Sequence, residues 1–204
     1  MKPAYDEEYT YVFHSPGLEP WLVGLLKSIK PRAVLDIGCG LGFWGLVLKG
    51  YLGIAHVIGV DVDPSKVEFA RSLGIYDELY VSDIRFFEYP GDLDAVLAVE
   101  SLHGILNVEL LDRLEGLVRK GGLVILTLPE LPKKLRVIDL TKRGYRVYRY
   151  LLRGFILVRS DGCEVLTAPG SMWRLFGLIL SILGSLLRLA GFLSRGYLIA
   201  YKVV

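Results

Sequence analysis

The 204-residue chain has no glutamine and a single asparagine, Asn107. Depletion of heat-labile amides of this kind fits a thermophilic source. Cysteine is almost missing too. Cys39 and Cys163 give neither a disulfide framework nor a metal-ligand spacing, so no metal is expected and a reducing, cytoplasmic setting is the simplest reading. Neither sign of charge dominates. With 24 Lys plus Arg against 22 Asp plus Glu, the net charge of +2 argues neither for nor against a nucleic-acid partner. The stretch from Met1 to Glu8 has three acids and no apolar centre, so it does not read as a secretory signal. Internal repeats and low-complexity tracts are absent. What the chain does have is apolar residues, 52% of the total, with the excess in the last third. The length suits one domain over residues 1–204, with an arm and helix over 1–30 and an apolar helical insertion over 171–195.

Periodicity supplies the elements. Leu18, Trp21, Leu22, Leu25, Leu26 and Ile29 mark an amphipathic helix that Pro31 stops. A buried strand over 32–37 leads into a glycine turn, and a helix is expected over 43–52. Strands follow over 56–60, 78–81, 93–99 and 123–128, with helices starting at Pro64 and over 108–118; the second helix is expected to close on Lys120-Gly121-Gly122. Strands alternating with helices predict a mainly parallel sheet with right-handed crossovers. After Pro129 the pattern loosens into a basic helical or linking segment over 133–143. Residues 145–151 and 155–159 read either as two strands or as one strand and a loop, and a closing strand is expected over 197–203.

The stretch that organises the rest is Val34-Leu35-Asp36-Ile37-Gly38-Cys39-Gly40-Leu41-Gly42. A strand here ends on a carboxylate and turns through glycines into a helix, as in doubly wound sheets whose backbone closes on an adenosine-bearing cofactor. The nicotinamide and flavin fingerprint needs its third glycine at position 43, which is Phe43. Asp61 lies 21 residues after Gly40 at the end of the second strand, placed to accept ribose hydroxyls. Asp63, just before Pro64, suits a helix cap instead.

This series resembles the class I S-adenosylmethionine-dependent methyltransferase family, over roughly 31–129 and again from Gly196 onward. The resemblance implies a Rossmann-like, doubly wound α/β fold. Its seven-stranded, mainly parallel sheet would have an antiparallel last strand, here 197–203, inserted beside the fifth. It implies S-adenosyl-L-methionine as cofactor, with Asp36, Gly38, Cys39 and Gly40 at the methionyl end, Asp61 on the ribose and Val62 against the adenine. Asp83, with Ile84 behind it, would read the adenine amino group. Alone, Asp83 also reads as a turn carboxylate bonding its own backbone. The fourth strand ends Glu100-Ser101-Leu102-His103-Gly104, where many relatives carry Glu-x-x-Glu-His; His103 stands in the second acid's place. Glu100 would border the methionyl end. His103 is the candidate general base for an acceptor hydroxyl, its plainer alternative being a partly buried helix-capping histidine. No Asn-Pro-Pro-Tyr or Asp-Pro-Pro-Tyr run follows, so nucleic-acid bases are not expected as acceptors. Tyr11, His14 and Trp21 belong to an arm and first helix that in this family often fold over the pocket.

Arg174, Gly177, Ser181, Ser185, Arg188, Gly191 and Arg195 recur at gaps of three and four, a narrow stripe on the otherwise apolar stretch 173–193. Its uncharged run, Leu175 to Leu187, spans about 20 Å as helix, short of the roughly 30 Å hydrocarbon core. Three readings stay open: burial on the domain or in a homodimer, an in-plane membrane helix, and a wall of the acceptor pocket. The expected function is methyl transfer to a small-molecule or lipid-like acceptor. The alternatives are a cofactor-binding protein without catalysis and a membrane-peripheral module.

Overall fold

The computed structural model describes residues 18–102, 104–128, 135–151, 156–159, 165–167 and 198–204. Helix α1 (Leu18–Ile29) precedes β1 (Ala33–Ile37). A short α2 (Phe43–Gly45) widens into a π-helical turn, Leu46–Tyr51, before β2 (His56–Asp61) and α3 (Pro64–Ser72). Then come β3 (Glu78–Val81), β4 (Leu93–Val99), α4 (Val108–Gly116), β5 (Val118–Leu128) and α5 (Val137–Lys142). The described chain closes with β6 (Arg146–Leu151), β7 (Ile156–Arg159), β8 (Val165–Thr167) and β9 (Leu198–Val203).

Among the described residues nine strands form one sheet, ordered β3-β2-β1-β4-β5-β9-β6-β7-β8. The pairs β2–β3, β1–β2, β1–β4 and β4–β5 are parallel. Strand β9 runs antiparallel to both neighbours, β5 and β6. The inserted antiparallel last strand expected from the sequence is therefore present, and the first seven strands of the order form the expected mixed sheet. Strands β7 and β8 extend it by antiparallel pairing. Residues 145–159 thus hold two strands, the first of the two alternatives.

Alternation along each strand divides the core between the two faces. Leu35, Ile58, Val96 and Val124 point to one face, beneath Leu110, Leu111 and Leu114 of α4. Val34, Val57, Ala95 and Ile125 point to the other, packed on Leu22 and Leu26 of α1 and on Trp44 and Leu48. Leu22 and Leu26 are fully buried, each stabilising the fold by about 1.5–3 kcal/mol. Trp21 of α1 lies against Tyr148 and Tyr201 at ring-centroid distances of 6.0 and 5.8 Å.

Two sequence expectations are corrected. The helix over 43–52 is mostly π-helical: Leu52 N–H donates to Val47 O, five residues back, at 2.9 Å. Helix α4 ends at Gly116, and β5 starts at Val118 rather than 123. Lys120-Gly121-Gly122 is a bulge inside that strand, because Leu93 pairs with Val118 whereas Ala95 pairs with Leu123. Gly121 takes φ +80°, and a Cβ on Gly122 would stand 2.8 Å from Arg119 O. Glycines at a bulge and glycines after a helix look alike in sequence. Asp63 caps α3 as expected, accepting from Ser65 N–H at 2.9 Å and Lys66 N–H at 3.4 Å.

Candidate functional site

The sheet reverses its winding at β1, whose neighbours β2 and β4 lead outward in opposite directions. Doubly wound sheets bind ligands at the carboxyl ends of the strands flanking such a point. A cleft of about 670 Å³ lies there, within the range of small-molecule sites. Ile37, Gly38 and Gly40 line it from β1, and Val60, Asp61 and Val62 from β2. The residues after β3 contribute Asp83, Ile84 and Arg85, and the end of β4 contributes Glu100, Ser101 and Leu102.

The glycine turn is hung from β2. Gly38 N–H and Cys39 N–H both donate to Val60 O, at 2.7 and 3.1 Å. Asp61 completes the clasp: Oδ2 accepts from Gly40 N–H and Oδ1 from Asp63 N–H, each at 2.9 Å. Each carboxylate oxygen has two lone pairs, so the side chain keeps acceptor capacity for a ligand hydroxyl. Gly38 takes φ +69°, and a Cβ there would stand 2.3 Å from Ser101 Cβ, so only glycine lets the turn pass the end of β4.

Glu100 is the unusual residue of the β4 end. Its φ is +54°, a left-handed conformation that costs a non-glycine residue energy and clusters at functional sites. Fully buried Thr127 on β5 holds it, since Glu100 N–H reaches both Thr127 O and Thr127 Oγ1 at 3.0 Å. Ser101 Oγ beside it is buried, with no hydrogen-bond partner among the described residues.

The structure brings together Gly38, Gly40, Asp61, Val62, Asp83, Ile84 and Glu100 of the residues singled out in the sequence. Val62 is 64% exposed at the mouth and Ile84 is buried in the wall. Asp83 accepts from Arg85 N–H at 2.9 Å and from its guanidinium Nε at 3.0 Å. Those bonds hold its carboxyl below the usual range. The self-bonded turn carboxylate and the cleft position are thus both realised at this one residue.

Asp36 and Cys39 do not line the cleft. Asp36 is 2% exposed, on the opposite face of β1 from Leu35 and Ile37, and its Oδ2 accepts from Tyr76 Oη–H at 2.7 Å. Burial, opposed by that bond and assisted by the nearby Asp61 charge, pushes its carboxyl up to about 7. Burial also pushes the Cys39 thiol up, which suits a packed, unreactive group. Asp36 and Cys39, expected at the methionyl end, stand behind the turn rather than in the cleft lining: alternation turns the Asp36 side chain away, and the turn buries Cys39. His103, Tyr11, His14 and residues 173–193 lie outside the described residues.

Tyr76, Arg85, Ser101 and Thr127, which shape the turn and the cleft, are given no role in the sequence reading. Of these, only Tyr76 had a legible signal, because an isolated glycine inside a strand, Gly59, marks close approach by another group. A Cβ on Gly59 would stand 2.9 Å from Tyr76 Cε1.

The donors and space suit an adenosine-bearing cofactor. The cleft offers a carboxylate at the end of β2, apolar surface at Val62 and Ile84, a buried hydroxyl at Ser101 and a second carboxylate at Glu100. A Cβ on Gly40 would have no atom nearer than 3.9 Å, so space stands open in front of the turn. Among the described residues no group of acids, histidines and cysteines is arranged to hold a metal, and no helix is long and apolar enough to cross a membrane.

Comparison with known proteins agrees with this geometry. Residues 34–122 match the family model described as "Methyltransferase domain". Ribosomal protein L11 methyltransferase of Aeromonas hydrophila is 36% identical over 115 residues, covering 52% of this chain and 36% of the relative. The protein of that name from Marinobacter nauticus is 36% identical over 111 residues with the same coverage. The chain thus spans about a third of the length of these curated relatives. The plantazolicin methyltransferase BpumL, solved with a triazolic desmethylPZN analog and SAH, superposes with a TM-score of 0.61 at 18% identity. That superposition covers 96% of this chain and 87% of BpumL, a likeness of fold. Residues 34–122 thus carry the match to a methyltransferase domain, and with a glycine turn, an acid-tipped second strand and a sheet holding an inserted antiparallel strand the chain is similar to the class I S-adenosylmethionine-dependent methyltransferases.

Proposed function

We propose that the chain binds S-adenosylmethionine in this cleft and serves methyl transfer to a small-molecule or lipid-like acceptor. The observation that carries the first half is the Asp61 clasp, which ties an acceptor carboxylate to the Gly40 amide at the mouth of an open cleft. In this reading Asp61 takes the ribose hydroxyls, and Val62 and Ile84 flank the base. Asp83 reads its amino group, and the backbone of Gly38 and Gly40 admits the methionyl end. Glu100, pinned by Thr127, offers its carboxylate to the cationic end. Bound there, the cofactor supplies a methyl group on a sulfonium, so an acceptor that is already nucleophilic needs mainly positioning. His103 is the proposed base for a hydroxyl acceptor.

The acceptor class rests on apolar surface. Val99, Leu102 and Ile105 line the cleft beside Glu100, and the sequence over 173–193 adds a long apolar stretch with three arginines nearby. Peripheral membrane contact or a homodimer through that stretch belongs to the same proposal. Calorimetry with S-adenosylmethionine and S-adenosylhomocysteine tests cofactor binding; absence of heat with both refutes it. Methyl-tritiated cofactor offered with lipid extracts, small-molecule extracts and ribosomal protein tests the acceptor. Label entering only the ribosomal protein, the acceptor class in the relatives' names, overturns the small-acceptor reading and keeps the activity. Liposome flotation of the intact chain tests membrane contact, which is refuted by failure to float.

A further inference from the structure

Behind the glycine turn, on the side away from the cleft, one tyrosine joins both ends of the turn. Tyr76 lies between α3 and β3. Its hydroxyl donates to Asp36 Oδ2 at 2.7 Å and accepts from Gly45 N–H at 3.1 Å. Asp36 stands two residues before the turn's first glycine, and Gly45 three residues after its last. The ring fills a slot that exists only because side chains are missing. A Cβ on Gly45 would stand 2.4 Å from Tyr76 Cζ, and one on Gly59 would meet the far edge of the ring at 2.9 Å. The front of the turn hangs from Val60 and Asp61; the rear has this hydroxyl.

We propose that Tyr76 is a positioning residue, whose hydroxyl fixes Asp36 to the start of the helix and thereby holds the glycine turn in the shape that admits the cofactor. The proposal rests on the reading that the cleft binds S-adenosylmethionine. Removing the hydroxyl leaves the Gly45 amide without its partner and takes from Asp36 the bond that opposes its burial. The groups facing Asp36 are Tyr76, Asp61 from β2 and the Cys39 thiol of the turn, with Lys66 of α3 acting on Cys39; α2 contributes the Gly45 amide. The Asp36 carboxyl therefore titrates at a higher pH once the tyrosine hydroxyl is gone. Its anionic form favours a ligand carrying an ammonium group.

The test uses Tyr76→Phe and Asp36→Asn in the full chain, with S-adenosylhomocysteine as probe. Calorimetry from pH 6 to pH 9 gives the affinity profile, and hydrogen exchange of the ligand-free protein reads residues 36–46. The expected result for Tyr76→Phe is affinity at pH 7 weaker by roughly ten- to a hundredfold, the scale of a lost bond to a charged group. Its pH midpoint moves upward, and exchange over 36–46 quickens. Asp36→Asn, which keeps an acceptor for the hydroxyl, flattens the pH profile; it decides the matter if Tyr76→Phe fails to fold. Wild-type affinity, midpoint and exchange in a Tyr76→Phe protein that merely melts lower overturn the proposal, as does a wild-type pH profile in Asp36→Asn. Wild-type protein that binds no probe refutes the cofactor reading instead, and the ligand-free exchange comparison then decides whether Tyr76 holds the turn.

Discussion

Replacing Gly38 with alanine separates two reasons for a glycine that sequence alone merges. The φ of +69° costs an L-residue about 1–2 kcal/mol. The new Cβ would also stand 2.3 Å from Ser101 Cβ, a separation that real packing never shows. Relief requires the β1 turn and the β4 end to part, an overpacking cost of about 1–3 kcal/mol. Gly38→Ala is therefore expected to lose about 2–5 kcal/mol. Ser101→Gly removes the atom in the way, at a backbone-entropy cost of about 0.5–1 kcal/mol by itself. In the double variant the clash vanishes and the φ cost stays, so the two changes couple favourably by about 1–3 kcal/mol. Urea unfolding of the four proteins, with a shared m-value, reads this directly. Additivity within about 0.5 kcal/mol refutes the claim that Ser101 is what reserves position 38 for glycine.

The remaining predictions concern the carboxylates. Asp36 titrates near 7 in the folded chain, above its ordinary 3.8, so the native state keeps its proton longer than the unfolded one. Stability from this group is full below about pH 4, is lost as pH rises toward 7, and amounts to roughly 4 kcal/mol. Asp83 and Asp94, both held low by arginines and backbone amides, slope the other way, losing stability as pH falls through their folded range. Asp36→Asn is accordingly expected to gain on the wild type as pH rises from about 4 to about 7, and urea midpoints showing parallel slopes speak against it. Asp61→Asn turns one of the two acceptor oxygens into a donor facing a backbone N–H. The expected loss is about 1–3 kcal/mol by urea unfolding, together with weakened S-adenosylhomocysteine affinity. Glu100→Gly releases the left-handed strain and removes the carboxylate. Thermal melts are expected to be unchanged or raised by up to about 1 kcal/mol in stability while probe affinity falls. Lower stability with intact affinity contradicts that assignment.

Much of this fold is readable from spacing. The gaps of three and four from Leu18 to Ile29 give α1 its observed bounds, and the apolar runs ending at Ile37, Asp61, Val81 and Val99 give four parallel strands. The bulge at 119–122 was not readable, because a Lys-Gly-Gly run serves a helix end equally well and only the Ala95↔Leu123 register distinguishes them. At the site, Asp61 was legible because its distance from the turn and its place at a strand end are both fixed by the crossover. For Asp36 the position next to the turn is evident in the sequence, but its partner is not: strand alternation sends the side chain to the far face, against Tyr76. The strained Glu100 is invisible in sequence, since nothing there announces that Thr127 presents two acceptors to its amide. Long-range partners of this kind emerge only once β4 and β5 are paired.

The insertion of β9 between β5 and β6 orders events during folding. Leu128 pairs with Leu198, seventy residues further along, so the Leu-Val-Ile-Leu run of β5 keeps a bare hydrogen-bonding edge until that late segment arrives. An apolar open edge is a template for pairing with other chains. Substitutions that weaken residues 198–203 are therefore expected to appear first as aggregated material during synthesis or refolding, ahead of any defect in the protein that does fold. Yield of soluble chain, measured beside affinity in the cleft, checks this expectation.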